Sequence, residues 1–304
     1  MYLPESVIIC EQGARDGIQT VPEFIPTAKK IELINALSET GAPFIEVASF
    51  VNPRVIPQLR DGREVLAGIV KRPGVKYIGV VPNAEGARRA AEAGCDEIGI
   101  FFSASDSHNR HNVNMSTEDS IRGLAGVMDI SRDAGIPVYA GIATCFGCPY
   151  EGDVPPKRVA WAIESVVKMG AYRVVLGDTT GMANPRQVEE LMSFLLQRFP
   201  DTPINIHIHD NRGMGLACIL AALQVGVTRF DSSVGGLGGS PTPGAMGNVC
   251  SEDLVHMLHE LGVETGMDLD KLIACARIAG ELTGRSTHSH VLKAGKRSDL
   301  VRSC

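Results

Sequence analysis

A chain of 304 residues, 44% hydrophobic and 21% charged, is long enough for two average domains or one large barrel, and its composition excludes a disordered protein. A net charge of −6 with no run of Lys or Arg argues against nucleic acid or an anionic membrane as the main partner and leaves a small molecule. No apolar segment approaches the roughly 20 residues needed to span a bilayer. The opening MYLPESVIIC lacks the charged-then-apolar pattern of a signal peptide, so the expectation is a cytoplasmic protein with its eight scattered cysteines reduced.

In chain order, the first β-rich run is SVIICEQ, which leads into GARDGIQ. A helix pattern, AKKIELINALSETG, then ends in the Gly expected past a helix C-terminus. The second run, PFIEVAS, carries Glu46, and KYIGVVP, the helix pattern AEGARRAAEAG and EIGIFFSA follow. The polar stretch SASDSHNRHNVNMS brings His108, Arg110 and His111 before a long helix pattern, STEDSIRGLAGVMDISRDAG. PVYAGIAT runs into Cys145 and Cys148, a lone C-x-x-C read as two buried small hydrophobes rather than a redox or zinc site. After the helix PKRVAWAIESVVKMG comes RVVLGDT, then ANPRQVEELMSFLLQRF, in which Asn184 can cap the helix and Pro185 sits where its first turn tolerates it. INIHIHD and RFDSSVGG complete eight β-then-α units at a spacing of roughly 30 residues. The pattern predicts an α/β fold, a (β/α)₈ TIM barrel over about residues 6–240, with additional C-terminal helices over about 250–290, all in one domain. A doubly wound sheet is the alternative.

Barrels of this kind place their chemistry at the C-terminal ends of the strands, and here those ends are polar. Residues i and i+2 of a strand face one side, so His207 and His209 point together into the mouth. They form either a structural hydrogen-bonded pair or two ligands of a metal. A divalent ion also wants oxygen, and Asp16 at the end of the first strand is the best carboxylate, with Arg15 beside it. An Asp, two His and an amide oxygen would leave octahedral positions open for a chelating substrate, which suits Mg²⁺ or Mn²⁺ better than structural zinc.

The segments GARDGIQ, FIEVASFVNPRVIPQL, GCPYEG, LGDTTG, IHIHDNRGMGLA, DSSVGGLGGSP and GAMGN resemble, in order and spacing, those of the 3-hydroxy-3-methylglutaryl-CoA lyase family, from about residue 6 to residue 284. The resemblance implies a divalent cation held by Asp16, His207, His209 and the amide of Asn248, with an acyl-CoA as small-molecule partner and a homo-oligomeric assembly. It implies that Arg15 stabilises the developing enolate, that Gln19 and Glu46 stand in the polar network around it, and that Asp16 is both ligand and candidate base. The reaction needs such groups, because cleaving the C–C bond of a 3-hydroxyacyl-CoA removes the hydroxyl proton while negative charge builds on the thioester oxygen. His108 and Arg110 are candidates to receive the CoA phosphates or to line the mouth.

Two positions depart from the family pattern. The Gly-rich loop GGLGGSPTPGAMGN, read as a lid, carries Ser240 where the resembled lyases place a cysteine that acts in proton transfer, and a hydroxyl is a far poorer acid than a thiol. Val175 stands where they carry a serine near the substrate. Cys250 and the terminal Cys304 are weak candidates for a replacement thiol or a redox role. The expected activity is therefore metal-dependent cleavage of a 3-hydroxy-3-methylglutaryl-CoA-like thioester to acetyl-CoA and a keto acid. The rival readings are a lyase for another 3-hydroxyacyl-CoA such as citramalyl-CoA, a Claisen-condensing synthase, and a non-catalytic acyl-CoA or metal-binding relative. The synthase is disfavoured because its relatives carry substantial C-terminal regions for which residues up to Cys304 leave no room.

Overall fold

A computed structural model describes residues 2–239 and 247–300. Among these residues, eight parallel strands close into a barrel in sequence order: β1 Ile8–Glu11, β2 Phe44–Ser49, β3 Lys76–Val80, β4 Glu97–Ser103, β5 Val138–Ala143, β6 Arg173–Asp178, β7 Ile204–Ile208 and β8 Arg229–Ser232. Closure is made by β1 against β8, with Ile8 opposite Arg229 and Glu11 opposite Ser232. The doubly wound sheet is thereby ruled out. Helices cover the outside, and Ser251–Glu260, Leu269–Thr283 and His290–Ala294 follow β8. No helix among the described residues is long and apolar enough to cross a membrane.

The helix boundaries follow local chemistry. Asn184 accepts a hydrogen bond from the Gln187 amide at 3.0 Å and Pro185 opens the helix that runs to Arg198. Gly170 closes the helix Pro156–Met169 with φ 109°, a conformation only glycine adopts without strain. The stretch expected to be one helix after residue 116 is two, Thr117–Gly123 and Ala125–Asp133. Gly123 and Gly126 flank the break, and glycine costs about 1 kcal/mol per residue relative to alanine inside a helix.

One apolar cluster, from Val7 to Val291, lies between the barrel and its helices. Inside the barrel the packing is mixed. Cys10, Ile78, Tyr139 and Val175 form a small cluster, and deeper down Arg173 and Glu97, both 1% exposed, pair at 2.6 Å with the guanidinium over the Tyr139 ring. This packed interior fills the barrel among the described residues, so chemistry is sought at the C-terminal mouth.

Candidate active site

Asp16 lies in the turn that follows β1, His207 on β7 and His209 just past its end. The three are brought together so that one ligand atom from each lies within 4.8 Å of the others. The alternating pleat does what the sequence suggests, and the two Nε2 atoms face each other at 3.2 Å. Register supplies what the pleat cannot. His207 lies directly opposite Asp231 on β8, and its Nδ1 donates to the Asp231 carboxylate at 3.3 Å, which turns Nε2 toward the site.

Asn248 reaches the same place from a segment that returns antiparallel to the end of β7. Asn248 bridges His209, and Val249 N donates to Ile208 O at 3.1 Å. Its amide nitrogen donates to Asp16 Oδ2 at 2.8 Å and to Leu237 O at 3.0 Å, leaving Oδ1 buried with no hydrogen-bond partner. At Gly238, φ 148°, a side chain would run into the Asn248 amide and lie 3.1 Å from Asp16 Oδ2, so glycine keeps this space clear. An unpaired amide oxygen, a carboxylate and two convergent imidazoles fit a divalent cation.

The electrostatics of Asp16 and His209 agree with a ligand set. Burial pushes the Asp16 carboxyl up, but the Arg15 guanidinium and the two imidazoles outweigh it and hold the group below its ordinary value, ionised near neutrality. Burial and the neighbouring His207 push His209 down to about 4, so its ring is neutral with a lone pair to offer. Burial opposes the charged form of His207 too, but Asp231 prevails and raises it.

Arg15, 8% exposed, is fixed from several sides. Its Nε and Nη2 engage the fully buried Glu46 carboxylate, Nη1 donates to Asp16 Oδ1 at 3.0 Å and to Gln19 Oε1 at 3.4 Å, and Tyr139 donates its hydroxyl to the other oxygen of Glu46. Gln19 Nε2 also donates to Asp16 Oδ1 at 2.6 Å and to Gly239 O at 3.0 Å. Arg15, Asp16, Gln19 and Glu46 are therefore one network. Burial raises Glu46 against the opposing pull of Arg15 and of the Tyr139 hydrogen bond.

The remaining candidates are placed differently. Val175, 5% exposed, belongs to the interior cluster with Tyr139. His108 is buried, its Nδ1 2.7 Å from Ser103 Oγ, while Arg110 is exposed and paired with Asp106 one helical turn away at 2.7 Å. Cys145 and Cys148 are buried thiols, the first donating to Ile142 O and the second 2.9 Å from Ser105 Oγ. Cys250 is buried, and burial with the nearby acids Glu252 and Asp253 raises its thiol. Ser240 and Cys304 lie outside the described residues.

Sequence reasoning singled out neither Asp231 nor Tyr139 nor Glu11. Each sits on the inward or mouth-proximal part of a strand, and an acid or phenol there was a legible signal. Glu11, fully buried, ties β1 to the turn after β8 by accepting from Gly13 N at 2.7 Å, Val234 N at 2.9 Å and Ser251 Oγ at 2.5 Å. Asp231 also accepts from Asn205 Nδ2 at 2.9 Å and Gln12 Nε2 at 3.1 Å. Asp231→Asn, which offers one acceptor oxygen where three donors converge, is expected to weaken divalent-ion binding by about 10- to 100-fold with the fold retained. Calorimetric titration with Mn²⁺ checks this, and an unchanged affinity would show that Asp231 does not act through His207.

Comparison with known proteins agrees with this geometry. Residues 6–278 match the HMGL-like family model. The hydroxymethylglutaryl-CoA lyase of Bacillus subtilis (strain 168) is 44% identical over 98% of this chain and its own full length, and the mitochondrial hydroxymethylglutaryl-CoA lyase of Gallus gallus is 43% identical over 97% of this chain and 99% of its own. Among solved structures, an HMG-CoA lyase from Acinetobacter baumannii, in complex with coenzyme A and 3-methylmalate, superposes with a TM-score of 0.94 at 42% identity, covering 99% of this chain and 98% of that one. With the model matched over most of its length and relatives above 40% identity end to end, the chain belongs to the HMGL-like family.

Proposed function

We propose that this protein is a divalent-metal-dependent carbon–carbon lyase that cleaves a 3-hydroxy-3-methylglutaryl-CoA-like thioester to acetyl-CoA and a keto acid, which is acetoacetate for the methyl compound. The observation that carries the reading is the convergence of Asp16, His207 and His209 at the barrel mouth with Arg15 locked beside them. Asp16, His207, His209 and Asn248 Oδ1 would hold Mg²⁺ or Mn²⁺. Bound there, the ion supplies Lewis-acid polarisation of the substrate oxygens.

The chain's own residues supply the rest. Asp16 is the carboxylate at hand to accept the proton of the tertiary hydroxyl. As that proton leaves, the C3 oxygen forms a carbonyl, the C2–C3 bond breaks, and its electron pair passes into the thioester as an enolate. Arg15 answers the charge on the thioester oxygen, because Glu46 and Asp16 hold its fork and leave one Nη2 proton to donate. Gln19 orients the Asp16 carboxylate. Val175 belongs to the wall beneath the acyl group, and Arg110, with His108 packed at the base of its helix, faces the CoA phosphates at the rim.

The enolate carbon must then receive a proton, and here Ser240 stands where the resembled lyases carry a cysteine. A thiol titrates near 8.5 and a hydroxyl far higher, so Ser240→Cys is expected to raise turnover of 3-hydroxy-3-methylglutaryl-CoA in Mg²⁺ or Mn²⁺. Mass detection of acetyl-CoA from the native protein and the variant tests the reading. Efficient cleavage by the native protein, undiminished in Ser240→Ala, would remove Ser240 from the mechanism. Absence of acetyl-CoA from every 3-hydroxyacyl-CoA offered would overturn the lyase itself.

A further inference from the structure

The wall opposite the metal-ligand residues is built from different chemistry. Phe101 on β4 lies in register with Gly141 on β5, and Gly141 with Val175 on β6, so the three form one row across adjacent strands. Phe101 shares its face of β4 with Gly99, where an added side chain would meet the inward-facing Tyr139, and with Glu97, which pairs with Arg173 inside the barrel. The Phe101 side chain therefore points into the mouth. Gly141 has no side chain to oppose it, and a Cβ there would run into the Phe101 ring, which accordingly lies down across β5. Tyr139 meets the ring edge-on at 5.9 Å and 89°, and the Arg15 guanidinium stands 5.7 Å from its centroid.

Phe101 is nonetheless 40% exposed, whereas the neighbouring Ile100 and Phe102 are buried. An aromatic residue left two-fifths exposed beside the candidate catalytic arginine, at the rim of a packed barrel, is what an apolar part of a ligand would cover. Two-fifths of a phenylalanine's roughly 200 Å² is about 80 Å² of apolar face. One methylene covers about 30 Å², so the ring has room for about two or three carbons rather than a single methyl.

We propose that Phe101, lying over Gly141 beside Val175, forms an apolar subsite that receives the C3 substituent of a 3-hydroxyacyl thioester, and that this chain prefers a hydrocarbon there longer than methyl. The proposal rests on the lyase reading only for the hydroxyl that makes the thioester cleavable. The subsite itself is a binding property.

The test therefore separates binding from cleavage. The Mg²⁺-loaded protein and its Phe101→Ala and Phe101→Leu variants are titrated calorimetrically with 3-methylglutaryl-CoA and 3-propylglutaryl-CoA, which lack the hydroxyl and cannot be cleaved. The native protein is expected to bind the propyl compound at least tenfold more tightly, the scale on which apolar pockets discriminate a methylene or two. In Phe101→Ala the ratio should collapse to within about threefold, with Phe101→Leu between. Because Phe101 also touches Arg15, the substitution can weaken both ligands together, but the ratio cancels any shared loss. Equal affinities in the native protein, or a ratio unchanged in Phe101→Ala, would overturn the subsite. Incubation with the 3-hydroxy counterparts distinguishes the two readings: selective binding without acetyl-CoA release leaves the subsite standing and removes the lyase, whereas acetyl-CoA release without selective binding does the reverse.

Discussion

Arg15→Lys is expected to lower kcat by about a hundred- to a thousandfold, the cost of removing one donor aimed at a developing oxyanion, while metal content stays unchanged. Lysine keeps the charge but loses the planar fork. In the native site Nε and Nη2 engage Glu46 and Nη1 engages Asp16 and Gln19, and this bracing fixes the guanidinium while leaving one further Nη2 proton to donate. A single ammonium on a flexible stem cannot satisfy two buried carboxylates and still face the substrate. It also leaves Glu46, which is already raised by burial, with a weaker partner. Steady-state kinetics paired with elemental analysis of the metal-loaded variant checks the expectation. Near-native turnover would sink the role assigned to Arg15, and loss of metal along with activity would show that the residue acts by shaping Asp16 instead.

His207→Ala and Asp16→Asn are each expected to weaken divalent-ion binding by more than a hundredfold and to reduce cleavage to the level seen after chelation with EDTA. Loss of an outer-shell partner costs 10- to 100-fold, and removal of a direct ligand costs more. The two substitutions fail for different reasons. His207→Ala removes an imidazole whose Nε2 is oriented by Asp231, and Asp16→Asn replaces an ionised carboxylate, held in that state by Arg15 and both histidines, with a neutral amide. Neither should unfold the barrel, whose stability comes from the apolar cluster between strands and helices rather than from the mouth. Calorimetric Mn²⁺ titration and circular dichroism of the same samples check both halves. Unchanged titration in both variants would rule out the ligand set, and a cooperative loss of structure would mean the residues are structural.

Much of the architecture was written locally. Alternation of apolar residues, capping residues such as Asn184 and glycines such as Gly170 act over a few positions, and they set the strands and most helices without help from the rest of the chain. The same period-two rule put His207 and His209 on one side, and the two imidazoles do converge. The long helix reading after residue 116 failed because hydrophobic periodicity continues across Leu124 while two glycines weaken the backbone there. What local pattern could not carry was anything that depends on which strand lies beside which, and at what register. Barrel closure sets Asp231 opposite His207, brings Asn248 back along the end of β7, and joins Arg15 to Glu46 across 31 positions of sequence. It also lines up Phe101, Gly141 and Val175 as one row, so that residues unremarkable in their own segments become a buried floor carrying one exposed ring beside the arginine. Which residues can ligate, donate or pack follows from side-chain chemistry and from the pleat, both of which are legible along the chain. Which of them meet depends on strand register, and register is fixed by the closure of all eight strands together and by no single one of them.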